Sequence, residues 1–402
     1  MRILYLSQYF PPEMGAPSAR VCELSRHWAN AGHDVTVLTA FPHHPTGVKP
    51  PHYRWRLWAR ERHYGVRVIR TYVLATPNRG LRRAVSYASF FLSSMLLGMW
   101  LAPRPDVLVA TSPQLLVALA GYGLSRLKRC PFVFEVRDLW PRVIVEVGAM
   151  RRGWFIRWLE RVELALYHRA VRVVVVTEGL KRNLVGRGIP ADKVGVIPNG
   201  VDSRSPCPAS SIRSELGLDG KFLVAYVGTH GMSHGLEVVL DAAEKLRERS
   251  DVQFVMVGEG ARKDALKEQA RARGLANVHF LPEQPRERAQ AILAASDAVV
   301  VPLRKLPLFE ITVPSKLFEG MAAARPVLLG VQGEARRLVE EAACGYAFEP
   351  ENGAALADSI HLLLQAPDEG RRLGEAGRAY VLKHYSRQKQ AERYAALLEA
   401  AA

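Results

Sequence analysis

Residues 2–40 read RILYLSQYFPPEMGAPSARVCELSRHWANAGHDVTVLTA. An apolar run over 2–7 leads into a loop that carries Gly15 and Ala16. A helical pattern over 17–31 opens near Ser18, and a second apolar run follows at 34–40. Strand, loop, helix and strand form the repeating unit of a parallel sheet covered by helices. Gly15 lets backbone amides approach a ligand closely. The start of the following helix offers free N–H groups and a positive dipole end, both suited to phosphate. Working outward, apolar runs recur at 66–72, 106–112, 132–137 and 172–177, then at 222–228, 252–258, 278–282, 298–303 and 326–330. Helical stretches near 153–170, 235–249, 261–273, 286–295 and 315–324 separate them. The expectation is an α/β chain of two doubly wound, Rossmann-like domains. Such sheets bind ligands beyond the carboxyl ends of their strands, so the two domains are expected to face each other across a cleft.

A length of 402 residues suits two domains. With 49% hydrophobic and 23% charged residues the chain has the means to bury two cores and does not read as disordered. The Pro- and Ser-rich stretch PNGVDSRSPCPASS (198–211) reads as the linker. This gives a first domain over 1–202, a second over 203–385, and a last helix over 386–402 that is able to return to the first domain. The sequence enters its first strand directly, with no pattern of a secretory leader. Cys22, Cys130, Cys207 and Cys344 are scattered, which fits a reducing cytoplasm and makes no case for disulfides or structural zinc. The net charge is +16, and its distribution is uneven. Residues 1–202 hold 29 Lys/Arg against 13 Asp/Glu, and the remainder holds 26 of each. The first half is therefore expected to face something anionic. Arginine usage in a GC-rich genome is the alternative, and by itself it would not spare the second half.

The stretch AVSYASFFLSSMLLGMWLA (84–102) runs 19 residues without a charge, between Arg82–Arg83 and Arg104. As a helix it would be roughly 28 Å long, close to a bilayer core. A crossing would place 2–7 and 106–112 on opposite sides of a membrane, although both are needed in one sheet. The helix is thus expected to be either buried in protein or partly embedded in lipid, with Ser86, Ser89 and Ser93 on one side and Phe91, Met95 and Met99 on the other. Two further segments, RWRLWARER (54–62) and RRGWFIRWLER (151–161), interleave Arg with Trp, and Trp154 and Trp158 share a helix face. Tryptophan sits well at headgroup depth and arginine pairs with lipid phosphate. Nucleic acid attracts the same residue types. The neighbouring apolar stretch makes an anionic membrane surface the expected partner instead.

In VPSKLFEGMAAARPVLLG (313–330), Pro314 and Ser315 start a helix, with Ser315 the expected N-cap. Lys316 stands in the first turn, where a cation is unfavourable against the helix dipole unless an anion binds there. Glu319, one turn on, is placed to accept hydrogen bonds from vicinal hydroxyls, as a carboxylate does from a ribose. Together they read as a nucleotide-diphosphate site. The alternative is a surface helix with one Lys–Glu pair. In VAYVGTHGMSHGLEVVL (224–240), Gly228 ends a strand, His230 and His234 occupy a loop, and a helix opens at Leu236. The two histidines have no carboxylate or cysteine beside them to complete a metal site, and no metal is expected.

The chain resembles the family 4 retaining glycosyltransferases of GT-B fold over nearly its whole length. The landmarks are 10–39, VIPNGVD (196–202), YVGTHGMSHGLEVVLDAAEKL (226–246), VMVGEG (255–260), VHFLPEQP (278–285), SDAVVVPL (296–303) and 313–330. Within that family, TSPQLL (111–116), EVRDLWP (135–141) and VPSKLFE (313–319) are similar to a branch that includes bacterial fucosamine transferases of surface-polysaccharide assembly. The resemblance implies sugar transfer from a nucleotide-diphosphate sugar, taken as a UDP-sugar, with retention of anomeric configuration and no obligate metal. The basic, apolar face of the first domain suits the diphosphate and chain of a lipid-linked acceptor, so a polyprenyl-diphosphate sugar at the inner face of a bacterial membrane is the expected acceptor.

Carried onto this sequence, the donor-binding positions are Gly15, Ala16, Gly228, Thr229, His230, Gly258, Leu281, Glu310, Pro314, Ser315 and Glu319. Many relatives place Arg and Lys where this chain has Thr229 and His234, so the diphosphate is expected to lean on Lys316, on helix amides and on His234 as a donor. His230 is expected to touch acceptor or sugar. Glu310 is one residue off the family register relative to Glu319. A His–Asp pair is replaced by Arg137–Asp138, and Asp138 is the candidate for positioning or deprotonating the acceptor hydroxyl, unless it is tied to Arg137 or Arg142. The alternatives to transfer are a GT-B nucleotide-sugar epimerase and a non-catalytic, membrane-associated nucleotide-sugar binding protein.

Overall fold

The computed structural model describes residues 1–13, 15–43, 47–76, 80–202 and 210–402. The chain forms two units, Met1–Pro198 with Arg387–Ala402, and Asn199–Ser386. The first division thus falls four residues before the expected one, and residues 203–209 of the expected linker lie outside the described residues.

The first unit holds an eight-stranded sheet: β1 (Arg2–Leu6), β2 (Asp34–Ala40), β3 (Trp58–His63), β4 (Val66–Thr71), β5 (Val107–Thr111), β6 (Phe132–Val136), β7 (Arg172–Val175) and β8 (Val194–Val196). Their order is β3-β4-β2-β1-β5-β6-β7-β8, and all pairings are parallel except β3 with β4. β1 is the pivot: Tyr5 lies opposite Val37 on one side and Val109 on the other. Half of the Arg/Trp segment 54–62 forms the edge strand β3. Its charged alternate positions suit an edge, where charge discourages pairing with another chain.

The last helix, Arg387–Glu399, packs into the first unit. Trp28 Nε1 donates to the Ala391 carbonyl at 2.9 Å and the Trp28 ring meets Tyr394 edge-on at 5.2 Å. Beneath it, Glu135 accepts from Tyr5 Oη at 2.6 Å and from Arg20 Nε at 2.9 Å. Arg20 also donates to the Ile197 and Pro198 carbonyls, so one buried, paired guanidinium fastens the end of the first unit's chain to its sheet.

The uncharged stretch forms the helix Gly80–Leu101. It is neither core nor apolar on both sides. Ser86, Phe90, Ser93, Ser94 and Gly98 face inward, and Val85, Leu92, Leu96, Met99 and Trp100 face out. Phe91 and Met95, expected on the side opposite the serines, are half-buried. Met95 lies over Gly123 of the neighbouring helix Leu115–Lys128, where an added Cβ would come within 2.8 Å of its methyl carbon.

The second unit holds six parallel strands: β9 (Phe222–Val227), β10 (Val252–Val257), β11 (Val278–Leu281), β12 (Ala298–Pro302), β13 (Val327–Gly330) and β14 (Gly345–Ala347). Their order is β11-β10-β9-β12-β13-β14, which puts the switch of direction between β9 and β12. Ligands of such sheets bind outside the carboxyl ends of the strands at that point. The loop after β9 carries the two histidines, and the helix Ser315–Ala322 that follows β12 carries Lys316 in its first turn.

Candidate active site

The site of the second unit is assembled on two glycines. Gly228 follows β9 with φ 143°, and its N–H donates to the Val257 carbonyl at 2.9 Å. Gly258 follows β10 with φ 139°, and its N–H points to the Leu281 carbonyl at 3.3 Å. A Cβ on Gly258 would stand 2.0 Å from the Gly228 carbonyl oxygen, and one on Gly228 would stand 2.1 Å from Lys316 Cε. Only glycine fits either place.

Lys316 is the second residue of the helix Ser315–Ala322. The N-cap is Pro314, with φ −61° and ψ 135°, and it corrects the expected Ser315 cap. Proline already supplies the extended residue, so Ser315 is helical and no side chain caps the first-turn N–H groups. From there Lys316 reaches back over Gly228 and donates from Nζ to His234 Nε2 at 3.1 Å, with Nζ 5.5 Å from the Tyr226 ring centre. Burial lowers the ammonium to about 8, opposed by Glu319. It is still mostly charged at neutral pH.

Burial, and then Lys316, hold His234 well below the ordinary range of an imidazole. His234 is therefore neutral, and Nε2 is its acceptor nitrogen. This differs from the expectation of a histidine donating to phosphate: here it accepts from the lysine and aims it. His230 is corrected more strongly. Its ring has no exposed surface, is stacked on Tyr226 at 5.5 Å, meets Phe280 edge-on at 6.3 Å, and is pushed by burial to about 4. It does not reach acceptor or sugar. Its backbone instead joins two loops, with N–H to the Glu259 carbonyl and carbonyl to the Arg262 N–H, both at 2.9 Å.

Thr229 is exposed, and its carbonyl accepts from Tyr226 Oη at 2.6 Å. Glu319 lies one turn beyond Lys316 with solvent-accessible surface; the chain crowded around its carboxyl removes water from it and raises its pKa, opposed by Lys316 and Arg286. The expected alternative of a Lys316–Glu319 surface pair is not found among the described residues, because Lys316 turns to His234. Glu310 is exposed on the single-turn helix Pro307–Ile311, beside the backbone of Gly333.

Three expected residues belong to the first unit. Gly15, with φ 111°, precedes the helix Ala16–Asn30, whose first turn has neither a side-chain cap nor an acidic residue. The helix starts two residues before the expected Ser18. Met14 lies outside the described residues. Asp138 stands two residues past β6 with an accessible side chain in a crowded setting; burial raises its carboxyl and Arg137 opposes. Among the described residues it has no ion pair with Arg137 or Arg142, and Arg142 pairs with Glu146 at 2.5 Å. Among the described residues no three His, Cys, Asp or Glu side chains could hold a metal ion. Cys22, Cys130 and Cys344 are free thiols, and Cys207 lies outside the described residues.

Comparison with known proteins assigns both units. Residues 15–200 match the family model of the glycosyl transferase 4-like domain, and residues 209–380 match that of the glycosyl transferases group 1. The chain is a GT-B glycosyltransferase.

Among its relatives, the putative colanic acid biosynthesis glycosyl transferase WcaI of Escherichia coli K12 is 26% identical over 388 residues, 91% of this chain and 93% of its own. The probable glycosyltransferase WbjE of Pseudomonas aeruginosa is 27% identical over 341 residues, 80% and 81% of the two chains. The crystal structure of Anabaena HepE in complex with UDP and glucose superposes with a TM-score of 0.74 over 100% of both chains at 18% identity, a likeness of fold.

Two residues of the glycosyltransferase site escape sequence reasoning. Tyr226 lies next to last in β9, and it supports His230, meets His234 edge-on at 6.3 Å, and underlies the Lys316 ammonium. Its one signal is an aromatic residue at a strand end that precedes a polar loop. Arg286, the first residue of the helix Arg286–Ala295, acts electrostatically on Glu319. Nothing in its local sequence marks it. What the arrangement can do is hold one aimed, partly dehydrated cation beside open helix amides, which suits a diphosphate.

Proposed function

We propose that this glycosyltransferase moves a sugar, with retention of configuration, from a UDP-sugar to a hydroxyl of a polyprenyl-diphosphate-linked sugar during surface-glycan assembly at the cytoplasmic face of an inner membrane. The observation that carries the reading is the Lys316 ammonium, held 3.1 Å from His234 over Gly228 at the switch point of the second sheet. Preorganised positive charge at the leaving group is the largest expected catalytic contribution in such a transfer. Lys316 and the first-turn amides of Ser315–Ala322 take up the charge that develops on the departing diphosphate, His234 aims the lysine, and Glu319 receives the ribose hydroxyls. Gly15 and Ala16 offer a second set of free amides. Asp138 positions the acceptor hydroxyl; with retention, the leaving phosphate oxygen itself can take the proton. No metal enters the scheme.

The names of relatives support the setting: one is assigned to colanic acid biosynthesis, and HepE binds UDP and glucose. An N-acetylated hexosamine or deoxyhexosamine donor is the finer reading, resting on the sequence likeness to fucosamine transferases. The test incubates the enzyme with a panel of UDP-sugars and short polyprenyl-diphosphate sugars, with and without EDTA, and follows products by mass spectrometry and anomeric NMR. An α-linked product from an α-linked UDP-sugar supports the reading. An epimerised nucleotide sugar without transfer, or UDP-sugar binding without any product, overturns it in favour of an epimerase or a binding protein.

A further inference from the structure

The helix Gly80–Leu101 reverses the burial order of a helix in water. Its serines point into the protein. Ser86 Oγ lies 3.1 Å from His43 Nε2, Ser89 Oγ accepts from the Leu74 N–H at 2.8 Å, and Ser93 Oγ reaches Thr71 Oγ1 at 3.2 Å. The Lys128 ammonium closes its last turn through the Met99 and Ala102 carbonyls, at 2.9 and 2.7 Å. Outward, Val85, Ala88, Leu92, Leu96 and Met99 recur at intervals of three and four, and Trp100 ends the row; Leu92, Leu96 and Trp100 are 58%, 68% and 85% exposed. Only 22% of its most apolar stretch is buried.

The surroundings carry a positive excess, with Glu61 and Glu160 paired to Arg70 and Arg152. With right-handed crossovers, the helices that follow β4, β5 and β6 all cover one face of the first sheet. β3 flanks that layer, its Arg60 donating to the Leu101 carbonyl, and the helix Trp154–Arg169 lies further along it, next to Leu115–Lys128. Exposed Arg54, Trp55 and Arg56 run into β3, and exposed Arg151, Arg152 and Trp154 lead into Trp154–Arg169. Arg82 and Arg83 stand at one end of the apolar row and Arg104 at the other.

We propose that the outward row of this helix lies in the plane of an anionic bilayer, with its side chains in the hydrocarbon and the flanking Arg and Trp residues at headgroup level. The helix does not cross, because the strands on either side of it, β4 and β5, belong to one sheet. It is not core, because its apolar side chains are exposed. A second copy of the chain would bring like-charged arginines together, whereas an anionic surface complements them. The purpose of the contact rests on the lipid-acceptor reading. The contact itself is measurable without acceptor or turnover, so the two fail separately.

The test floats the full chain with vesicles of phosphatidylcholine, alone or with about a third phosphatidylglycerol. Wild type should float with both, more with the anionic vesicles, and stay bound in about 0.5 M salt. Leu92→Asp with Leu96→Asp, both on exposed positions, should lower salt-resistant binding at least about tenfold with circular dichroism and melting unchanged. Reversing charge at Arg54, Arg56, Arg151 and Arg152 should lower only the salt-sensitive part. Spin labels placed singly along 85–100 should report oxygen access at 85, 88, 92, 96 and 99 and not at 86, 90 and 94. Flotation of the double variant like wild type, or oxygen access all round, overturns the proposal. So does a dimer in vesicle-free buffer that the same double variant dissolves, which would make the face an interface between copies.

Discussion

Replacing Lys316 by methionine should make the second unit more stable and the enzyme far less active. Burial takes the ammonium from its ordinary 10.5 to about 8. A tenfold change in proton affinity is worth about 1.36 kcal/mol, so the native state disfavours this charge by at most about 3.4 kcal/mol, and by about 1–3 once the partial exposure of the side chain is allowed for. The sign follows from proton counts. Below pH 8 both native and unfolded chains hold the proton, and the full penalty applies. Between pH 8 and 10.5 the native lysine sheds its proton first, the unfolded state holds more protons, and stability rises with pH. Wild type should therefore gain in melting temperature from pH 7.5 to 9.5 relative to Lys316→Met, and the variant should melt higher at pH 7.5, by about 2–4 °C per kcal/mol. The same charge works in the opposite direction on the leaving diphosphate. Losing it should cost about 2–4 kcal/mol of transition-state stabilisation, which is about thirtyfold to nearly a thousandfold in kcat. In wild type kcat/KM should fall above pH 8 as the free lysine deprotonates, and Lys316→Arg, which stays charged, should lose that limb. Scanning calorimetry and initial rates over pH 6.5–9.5 measure both sides. A Lys316→Met variant that melts lower at pH 7.5 and turns over at nearly the wild-type rate would refute the reasoning.

Three further outcomes follow from the same site. Gly228→Ala should lose both activity and about 1–3 kcal/mol of stability, because its Cβ would meet Lys316 Cε at 2.1 Å and its φ of 143° suits glycine; urea unfolding and rates check this. His234→Ala should weaken UDP binding and lower kcat about tenfold by releasing Lys316, while His234→Gln, whose amide oxygen can still accept, should recover part of the loss; isothermal titration with UDP separates the two. Activity should survive EDTA, and elemental analysis of the purified protein should find no stoichiometric zinc. Abolition by EDTA with rescue by a divalent ion would reopen a metal role.

The two sheets were legible because buried parallel strands are continuous apolar runs, such as Arg172–Val175 and Ala298–Pro302. β3 was not, because half its residues face away from the core, and two of those three, Arg60 and Arg62, are charged. β8 and β14 are three residues long, too short to show a pattern. At the site, Lys316 stood out because a cation in a first helical turn needs a reason. The role of His234 did not. Whether it donates or accepts depends on an amine 82 residues away, and that juxtaposition is made by the sheet. His230 was misread for a related reason: a histidine in a glycine-rich loop looks exposed, but the loops after β9 and β10 close over it. The uncharged stretch announced a helix of the right length and nothing about which side would face in.

That orientation can be weighed. Turning the helix by half a turn would bury Leu92, Leu96 and Trp100, each worth about 1.5–3 kcal/mol in water. It would forfeit the burial of Phe90, worth about as much as one of those, and the bonds of Ser86, Ser89 and Ser93 to His43, Leu74 and Thr71, each worth about 1 kcal/mol net. In water the exchange would be favourable, yet the chain is built against it. Gly98 faces in where an added Cβ would come within 2.7 Å of Leu38, so a small residue is what lets the helix lie this close to β2. The Leu74 N–H, just past β4, takes its partner from Ser89. Small and hydroxyl side chains turned toward protein, with large apolar ones turned outward, is the order expected of a helix whose outer solvent is hydrocarbon. The charge follows the same division: the excess of Lys and Arg lies in residues 1–202, the part of the chain that carries this helix, while residues 203–402 hold 26 basic and 26 acidic residues.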